Sequence, residues 1–155
     1  MGTTMLRSSL RDALKSSMKE KNTTAVSTIR LILAALKDRD IATRSHGNTD
    51  GVPNAEILTL LQSMVKQRHE SAALYEQGGR KDLSDQELNE IEIIRRFLPN
   101  PLDEAATQTA IDKVLSDLGA QNLKDMGRIM AVLRQAYPGQ MDFAKASAIV
   151  KQRLS

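Results

Sequence analysis

Apolar residues recur every three or four positions through most of the chain, which is the spacing of one face of an α-helix. Near the N-terminus, Leu6, Leu10 and Leu14 follow this spacing and predict a first helix over residues 4–20. The next apolar stripe is broader, so we predict that the second helix is the most buried one. Its stripe consists of Val26, Ile29, Leu33 and Leu36, broadened by Leu31, Ile32 and Ala35.

The third and fourth helices are marked by residues that begin or end helices. Pro53 suits the first turn of the third helix, and the Gly78–Gly79 pair ends it. Ser84 and Glu87 have the spacing of a capping box, so the fourth helix is expected to begin at Ser84. It must end at Pro99–Pro101, because two prolines in three residues remove backbone donors that a helix needs.

Three shorter helices are predicted after the prolines. Asp103 can cap the fifth helix and Gly119 can close it. A short sixth helix is expected from about Leu123 to Ala136, and Asp142 can cap the last helix.

The pattern therefore predicts an all-α protein with a four-helix N-terminal bundle over residues 1–98 and a small three-helix C-terminal domain over residues 99–155. Aromatic residues make up only 3% of the chain, which fits helix packing better than sheets. The chain has no cysteine, which excludes disulfides, thiolate zinc sites and cysteine nucleophiles. No apolar run reaches the roughly 18 residues of a membrane span. We expect a soluble, cytoplasmic protein with no membrane partner, and Met5 is an alternative natural start.

The net charge of +3 is distributed unevenly. Residues 1–49 carry nine basic and four acidic side chains, a net +5, whereas residues 50–94 carry four basic and nine acidic side chains, a net −5. Residues 120–155 carry six basic and two acidic side chains, a net +4. Two basic regions around an acidic middle can steer a polyanion to one side of the protein, or can be ordinary solvated helix faces.

The residues offer no arrangement typical of catalysis. The two histidines, His46 and His69, have no partner at metal-ligand spacing, so we expect no metal site and no bound cofactor. No serine lies in a nucleophile elbow or an SxxK motif. The glutamates of the fourth helix, Glu87, Glu90 and Glu92, are expected on a solvated face, where their pKa stays too low for acid catalysis. We therefore predict no catalytic residue in the isolated chain.

The segment Lys124–Met130 starts a helix that contains a glycine. Glycine in a helix interior is about 0.8 to 1.0 kcal/mol less favourable than alanine. Gly127 therefore indicates close helix–helix packing, which the spacing alone favours, or a partner that approaches the backbone. Lys124 and Arg128 share one predicted helical face, and amides of a first helical turn favour phosphate, so the partner is expected to be anionic.

Several motifs carry a family resemblance. They are Arg96–Pro99 before the linker, Gly119 after the fifth helix, the Lys124–Met130 block and the Lys66–Arg68 segment of the third helix. On these residues the chain resembles the stand-alone YqeY-like proteins of the GatB/YqeY family over nearly its full length.

The resemblance implies a two-domain helical protein whose C-terminal part is similar to the tail of the B subunit of the glutamine-dependent tRNA amidotransferase, which helps to hold tRNA. It also implies an association with carbon–nitrogen ligase activity that uses glutamine as the amido-nitrogen donor on aminoacyl-tRNA. Amidotransferase subunits are then possible partners. The kinase-like cradle that does the chemistry in that enzyme has no counterpart in this sequence.

We therefore predict a tRNA-binding or amidotransferase-related accessory module that recognises RNA by shape and backbone, since so few aromatic residues are available for base stacking. The alternative is a protein–protein interaction module without nucleic-acid binding, which docks through the N-terminal bundle. Arg68 on the apolar side of the third helix marks such a contact or extends along the bundle edge. The predicted RNA-contact residues are Lys124, Gly127 and Arg128, supported by Arg134, Lys145, Lys151 and Arg153.

Overall fold

A computed structural model describes the backbone of residues 3–155 and the side chains from Leu6 onward. Met1 and Gly2, which belong to the predicted bundle over residues 1–98, lie outside the described residues. Met5, the alternative start, lies in the first helix, and its side chain is also outside the described part of the chain.

The described residues form helices joined by short connections, without a β-strand among them. The predicted all-α class is therefore confirmed. A single turn of 3₁₀ helix over Leu123–Asp125 precedes the sixth helix. The helices are α1 (Thr3–Lys19), α2 (Thr23–Arg44), α3 (Asn54–Gln77), α4 (Lys81–Arg95), α5 (Glu104–Leu118), α6 (Met126–Ala136) and α7 (Phe143–Leu154).

The chain divides into two compact units, a first unit that ends at Leu98 and a second unit that starts at Pro99. In the first unit, α3 packs extensively on α4 and α1 packs on α2. Each unit has its own apolar core. The first core contains Leu10, Ile32, Ile57, Leu61 and Ile94, and the second contains Ile111, Ile129, Leu133, Met141 and Val150.

Side chains cap several helices where the sequence predicts it. Asp103 Oδ1 accepts the N–H of Ala106 at 2.7 Å, and Asp142 Oδ1 accepts the N–H of Ala144 at 3.0 Å. Gly119 closes α5 in the left-handed conformation, with φ of 61°. Because these caps satisfy backbone groups that have no partner inside the helix, they fix the ends of α5 and α7.

The predicted start of α4 at a Ser84 capping box is wrong. The helix begins at Lys81, and the N–H of Ser84 already donates to the carbonyl of Arg80 at 3.1 Å. Ser84 is 3% exposed, so it is packed inside the unit and is not at a helix end. Packing of α4 on α3 extends the helix one turn beyond the position that local capping chemistry indicates.

The expectation that α2 buries a broad stripe is only partly right. Ile29, Ile32 and Leu36 are buried, but Leu31 is 48% exposed and Val26 is partly exposed. The buried residues face the other helices of the first unit, whereas Leu31 lies at the edge of that packing, beside a groove between α2 and α3.

The acidic face predicted on α4 is not fully solvated. The side chain of Glu90 is 13% exposed, and its Oε2 lies 3.6 Å from Nε of Arg68, whose side chain is 14% exposed. Burial raises the pKa of Glu90, and the nearby Arg68 opposes that rise. Arg68 also donates from Nη1 to the carbonyl of Met64 at 3.2 Å. Its position on the apolar side of α3 therefore reflects an internal ion pair.

Candidate nucleic-acid interface

A hydrogen-bonded turn positions the start of α6. Asn122 Oδ1 accepts the N–H of Lys124 at 3.0 Å, and Asp125 Oδ2 accepts the N–H of Gln121 at 3.2 Å. These bonds fix the backbone on both sides of Lys124. The Lys124 side chain is exposed, and it forms no ion pair among the described residues.

Arg128 is held against α5. Its Nη2 donates to Asp125 Oδ1 at 3.1 Å and to the carbonyl of Leu118 at 3.4 Å. Leu118 is the last residue of α5, and the last carbonyls of a helix have no partner within it. Arg128 therefore closes the end of α5. Since Lys124 lies in the 3₁₀ turn ahead of α6, the two residues are not a regular pair on one α-helical face.

Gly127 is the second residue of α6, and its surroundings are open. A Cβ atom built at Gly127 meets no heavy atom within 4 Å, and its φ is not in the left-handed region. The expected helix–helix packing at Gly127 is therefore wrong for the described chain. The buried face of α6 consists of Ile129, Met130 and Leu133, and Gly127 lies outside that face.

An exposed face of α6 runs from Gly127 through Ala131 to Arg134, because these residues are four and three positions apart. The guanidinium of Arg134 lies 5.9 Å from the ring centre of Phe143, within the range of a cation–π contact. This contact holds Arg134 near the start of α7. This exposed face of α6 therefore combines the backbone at Gly127, which no side chain covers, with the guanidinium of Arg134, which is held near Phe143.

The three basic residues predicted on α7 do not share one face. Lys151 lies about 120° around the helix axis from Lys145 and about 160° from Arg153, given roughly 100° per residue. Arg153 forms an ion pair with Asp112 and donates to Gln108 Oε1 at 3.1 Å, so it links α7 to α5. Lys145 and Lys151 are exposed, and no ion pair among the described side chains involves either.

The structure therefore separates the predicted contact residues into two groups. The exposed group consists of Lys124, Gly127 and Arg134 at the start and on the exposed face of α6, together with Lys145 and Lys151 on α7. The other group consists of Arg128 and Arg153, which contact carboxylates within the second unit. Sequence reasoning missed Asp125 and Asp112 as their partners. A signal for Asp125 exists, because an aspartate three residues before an arginine at a helix start is well placed for an i, i+3 pair.

No group of three histidine, aspartate or glutamate side chains among the described residues is arranged to hold a metal ion. Within the same part of the chain, no helix is long and apolar enough to cross a membrane.

These features define an all-α protein of two helical units, with exposed lysines at the start of α6 and on α7. A family profile described as Yqey-like protein matches residues 7–154. The match covers almost the whole chain, and the chain therefore belongs to the YqeY-like protein family.

A curated relative from Clavispora lusitaniae is named "Altered inheritance of mitochondria protein 41, mitochondrial". It is 38% identical to this chain over 104 residues, which are 64% of the chain and 56% of the relative. The match thus spans little more than half the length of that protein.

Proposed function

We propose that the second unit binds tRNA through its shape and phosphate backbone, with the start of α6 against the RNA. The observation that carries this proposal is the open space beside Gly127. Neither packing nor a left-handed φ requires glycine there, although alanine favours the helix. Glycine at this position suits a partner that comes within contact distance of the backbone.

Charge supports an anionic partner. Lys124 precedes Gly127 and Arg134 follows it along the exposed side of α6, and both side chains reach solvent. Lysine binds phosphate as a flexible point charge, whereas a backbone amide binds it through one directed N–H. Lys145 and Lys151 extend the basic surface on two sides of α7, so the RNA contact is broader than α6 alone.

Family membership supports the choice of RNA. The C-terminal part of the chain resembles the tail of the tRNA amidotransferase B subunit, which helps to hold tRNA. We assign the chain an accessory role beside such an amidotransferase, whose subunits are then the proposed partners, and we assign no catalytic residue. Glutamine-dependent amidation of aminoacyl-tRNA, measured with and without this protein, tests that association.

A cytoplasmic location remains a prediction. The name of the curated relative places that protein in mitochondria. Fractionation of cells that express the tagged full chain decides between the two compartments.

Binding of the full chain to bulk tRNA and to duplex DNA of similar length, titrated over salt, tests the proposal. We expect a preference for tRNA, and we expect Lys124→Ala to reduce the salt slope by about one. Lys113→Ala is the matched control, because Lys113 is an exposed lysine on α5 outside the proposed surface. Equal affinity for tRNA and DNA would overturn the preference for tRNA, and no binding of either at low salt would favour the alternative, a protein–protein interaction module without nucleic-acid binding.

Gly127 allows a second test that separates binding from folding. Gly127→Leu places a bulky side chain in the open space, so we expect weaker tRNA binding with no loss of thermal stability. Gly127→Ala should keep or raise stability by up to about 1 kcal/mol, as helix propensity predicts. Unchanged tRNA affinity in both variants would remove the start of α6 from the interface.

A further inference from the structure

An apolar groove lies on the first unit between the end of α1 and the start of α2. Met18, Val26 and Leu31 form its apolar surface, and the groove is shallow and open to solvent, with a volume of about 750 Å³. Met18 is 51% exposed and Leu31 is 48% exposed, although both belong to otherwise well-packed helices. Covering these side chains would remove a contiguous apolar surface from water, which favours association.

The groove continues along α2. Leu31 also lines a second groove between α2 and α3, where Asp38, Arg39 and Arg68 supply polar groups. The α2 residues that line the two grooves recur every three or four positions from Thr23 to Arg39, so they form a continuous strip that turns gradually around the exposed part of the helix. At 1.5 Å per residue this strip is about 24 Å long.

Positive charge borders the strip. Lys21 and Arg30 line the apolar groove, and Arg39 lines its continuation. None of these three side chains forms an ion pair within the described residues. Asp38 is the carboxylate among the lining residues, and residues 1–49 as a whole carry a net +5. The charge that complements this border is negative.

The shape and chemistry of the strip favour an acidic peptide helix over RNA or a membrane surface. RNA phosphates gain nothing from an apolar floor made of methionine, valine and leucine, and the strip has no aromatic ring for base stacking. A membrane-binding helix presents a continuous apolar face, whereas Thr23, Ser27 and Asp38 interrupt the apolar side chains of this strip. A long groove with apolar floor and charged border matches the helix-in-groove mode of recognition.

We propose that the strip along α2 is a docking site for an acidic amphipathic helix of a partner protein. Leucine-type side chains of that helix occupy the apolar groove around Leu31, and its carboxylates face Lys21, Arg30 and Arg39. A helix of about 16 residues matches the length of the strip. This site lies on the first unit and does not rest on the proposed RNA contact of the second unit.

A synthetic helical peptide of about 16 residues tests the proposal on the full chain. It carries leucines at three- and four-residue spacing, glutamates beside them and a fluorescent label. One control peptide has lysines in place of the glutamates, and another has serines in place of the leucines. We expect the full chain to bind the acidic leucine peptide more tightly than either control, as measured by fluorescence anisotropy.

Variants of the protein locate the site. Leu31→Ser should weaken peptide binding about fivefold or more, as removal of a central apolar anchor does. Leu74→Ser is the matched control, because Leu74 is 68% exposed on α3 and lines neither groove. Arg30→Glu should also weaken binding and should reduce its salt dependence, and circular dichroism checks that each variant keeps its helices.

Four results would overturn the proposal. The first is equal affinity of the full chain for the acidic and basic peptides, and the second is an equal loss of peptide affinity in Leu31→Ser and Leu74→Ser. The third is Leu31-dependent binding to vesicles of phosphatidylserine and phosphatidylcholine without binding to the peptide. The fourth is a wild-type dimer that Leu31→Ser converts to a monomer, since the strip would then bind a second copy. Leu31→Ser should leave tRNA affinity unchanged and Lys124→Ala should leave peptide affinity unchanged, so the two proposals fail separately.

Discussion

Arg7 and Asp40 form a bidentate ion pair that joins α1 to α2. Nη1 and Nη2 of Arg7 each lie 2.8 Å from an oxygen of Asp40, and both side chains are 17% exposed. Arg7 Nη2 also donates to the carbonyl of Val52 at 3.0 Å, and Asp40 Oδ1 accepts the N–H of Val52 at 2.9 Å. The pair therefore holds the segment that leads into α3 as well as the two helices.

Gly51 is the residue that lets this segment approach the ion pair. Its φ is +90°, and an added Cβ would lie 2.7 Å from Arg7 Nη2 and 2.9 Å from Asp40 Oδ1. We expect Gly51→Ala to lower the free energy of unfolding by roughly 1–3 kcal/mol, measured by urea denaturation. Gly47→Ala is the matched control, because Gly47 also has a φ of +90° but has open space around it. Equal losses in the two variants would show that crowding at the ion pair contributes nothing.

The pH dependence of stability should reveal Asp40. Its hydrogen bonds from Arg7 hold the pKa of Asp40 below its usual value. The folded state thus binds this proton less readily than the unfolded state, and the stabilisation is present above the unfolded pKa of about 3.9. It is lost as the pH falls through the folded pKa. We expect Asp40→Asn to lower stability at pH 7 by roughly 1–3 kcal/mol and to flatten the acid limb of the curve.

Glu90 should affect the pH dependence of stability in the opposite direction. Burial raises its pKa in the folded state, so Glu90 favours folding more at low pH than at neutral pH. Arg68→Met removes the nearby cation, and we expect a loss of up to about 3 kcal/mol at pH 7 with a smaller loss at pH 5. Denaturant unfolding at both pH values measures this difference. A loss that is the same at both values would mean that the ion pair does not offset the burial of Glu90.

Replacement of Arg128 should lower stability more than replacement of Lys124. Arg128→Ala removes the donors to Asp125 and to the last carbonyl of α5, so we expect a loss of about 0.5–1.5 kcal/mol. Lys124→Ala removes an exposed side chain that forms no ion pair with the described residues, so it should change stability by less than about 0.5 kcal/mol. Thermal unfolding followed by circular dichroism compares the two. A larger loss for Lys124→Ala would contradict the structural role assigned to Arg128.

Much of the fold follows from local sequence signals. The caps at Asp103 and Asp142, the glycine closure at Gly119 and the helix stop at Gly78 depend on chemistry within a few residues, and the structure shows each of them. The start of α4 was not predictable in the same way. Burial of Ser84 against other helices outweighs its capping preference, and burial depends on residues far away in the chain.

The candidate sites were less predictable for the same reason. The i, i+4 spacing of Lys124 and Arg128 predicts a shared face, but a 3₁₀ turn and the end of α5 give the two residues different surroundings. The exposure of Leu31 on an apolar helix depends on which side of α2 the other helices cover. An open neighbourhood such as that of Gly127 is a property of the packed unit and leaves no mark in the sequence.

Met18 makes the apolar groove sensitive to oxidation. Its side chain is 51% exposed, whereas Met64, Met130 and Met141 are buried, and the chain contains no cysteine that would react first. A mild oxidant that forms methionine sulfoxide should therefore act on Met18 before it reaches either core. The sulfoxide oxygen is polar, so an oxidised preparation would keep its helices while the groove lost part of its apolar surface.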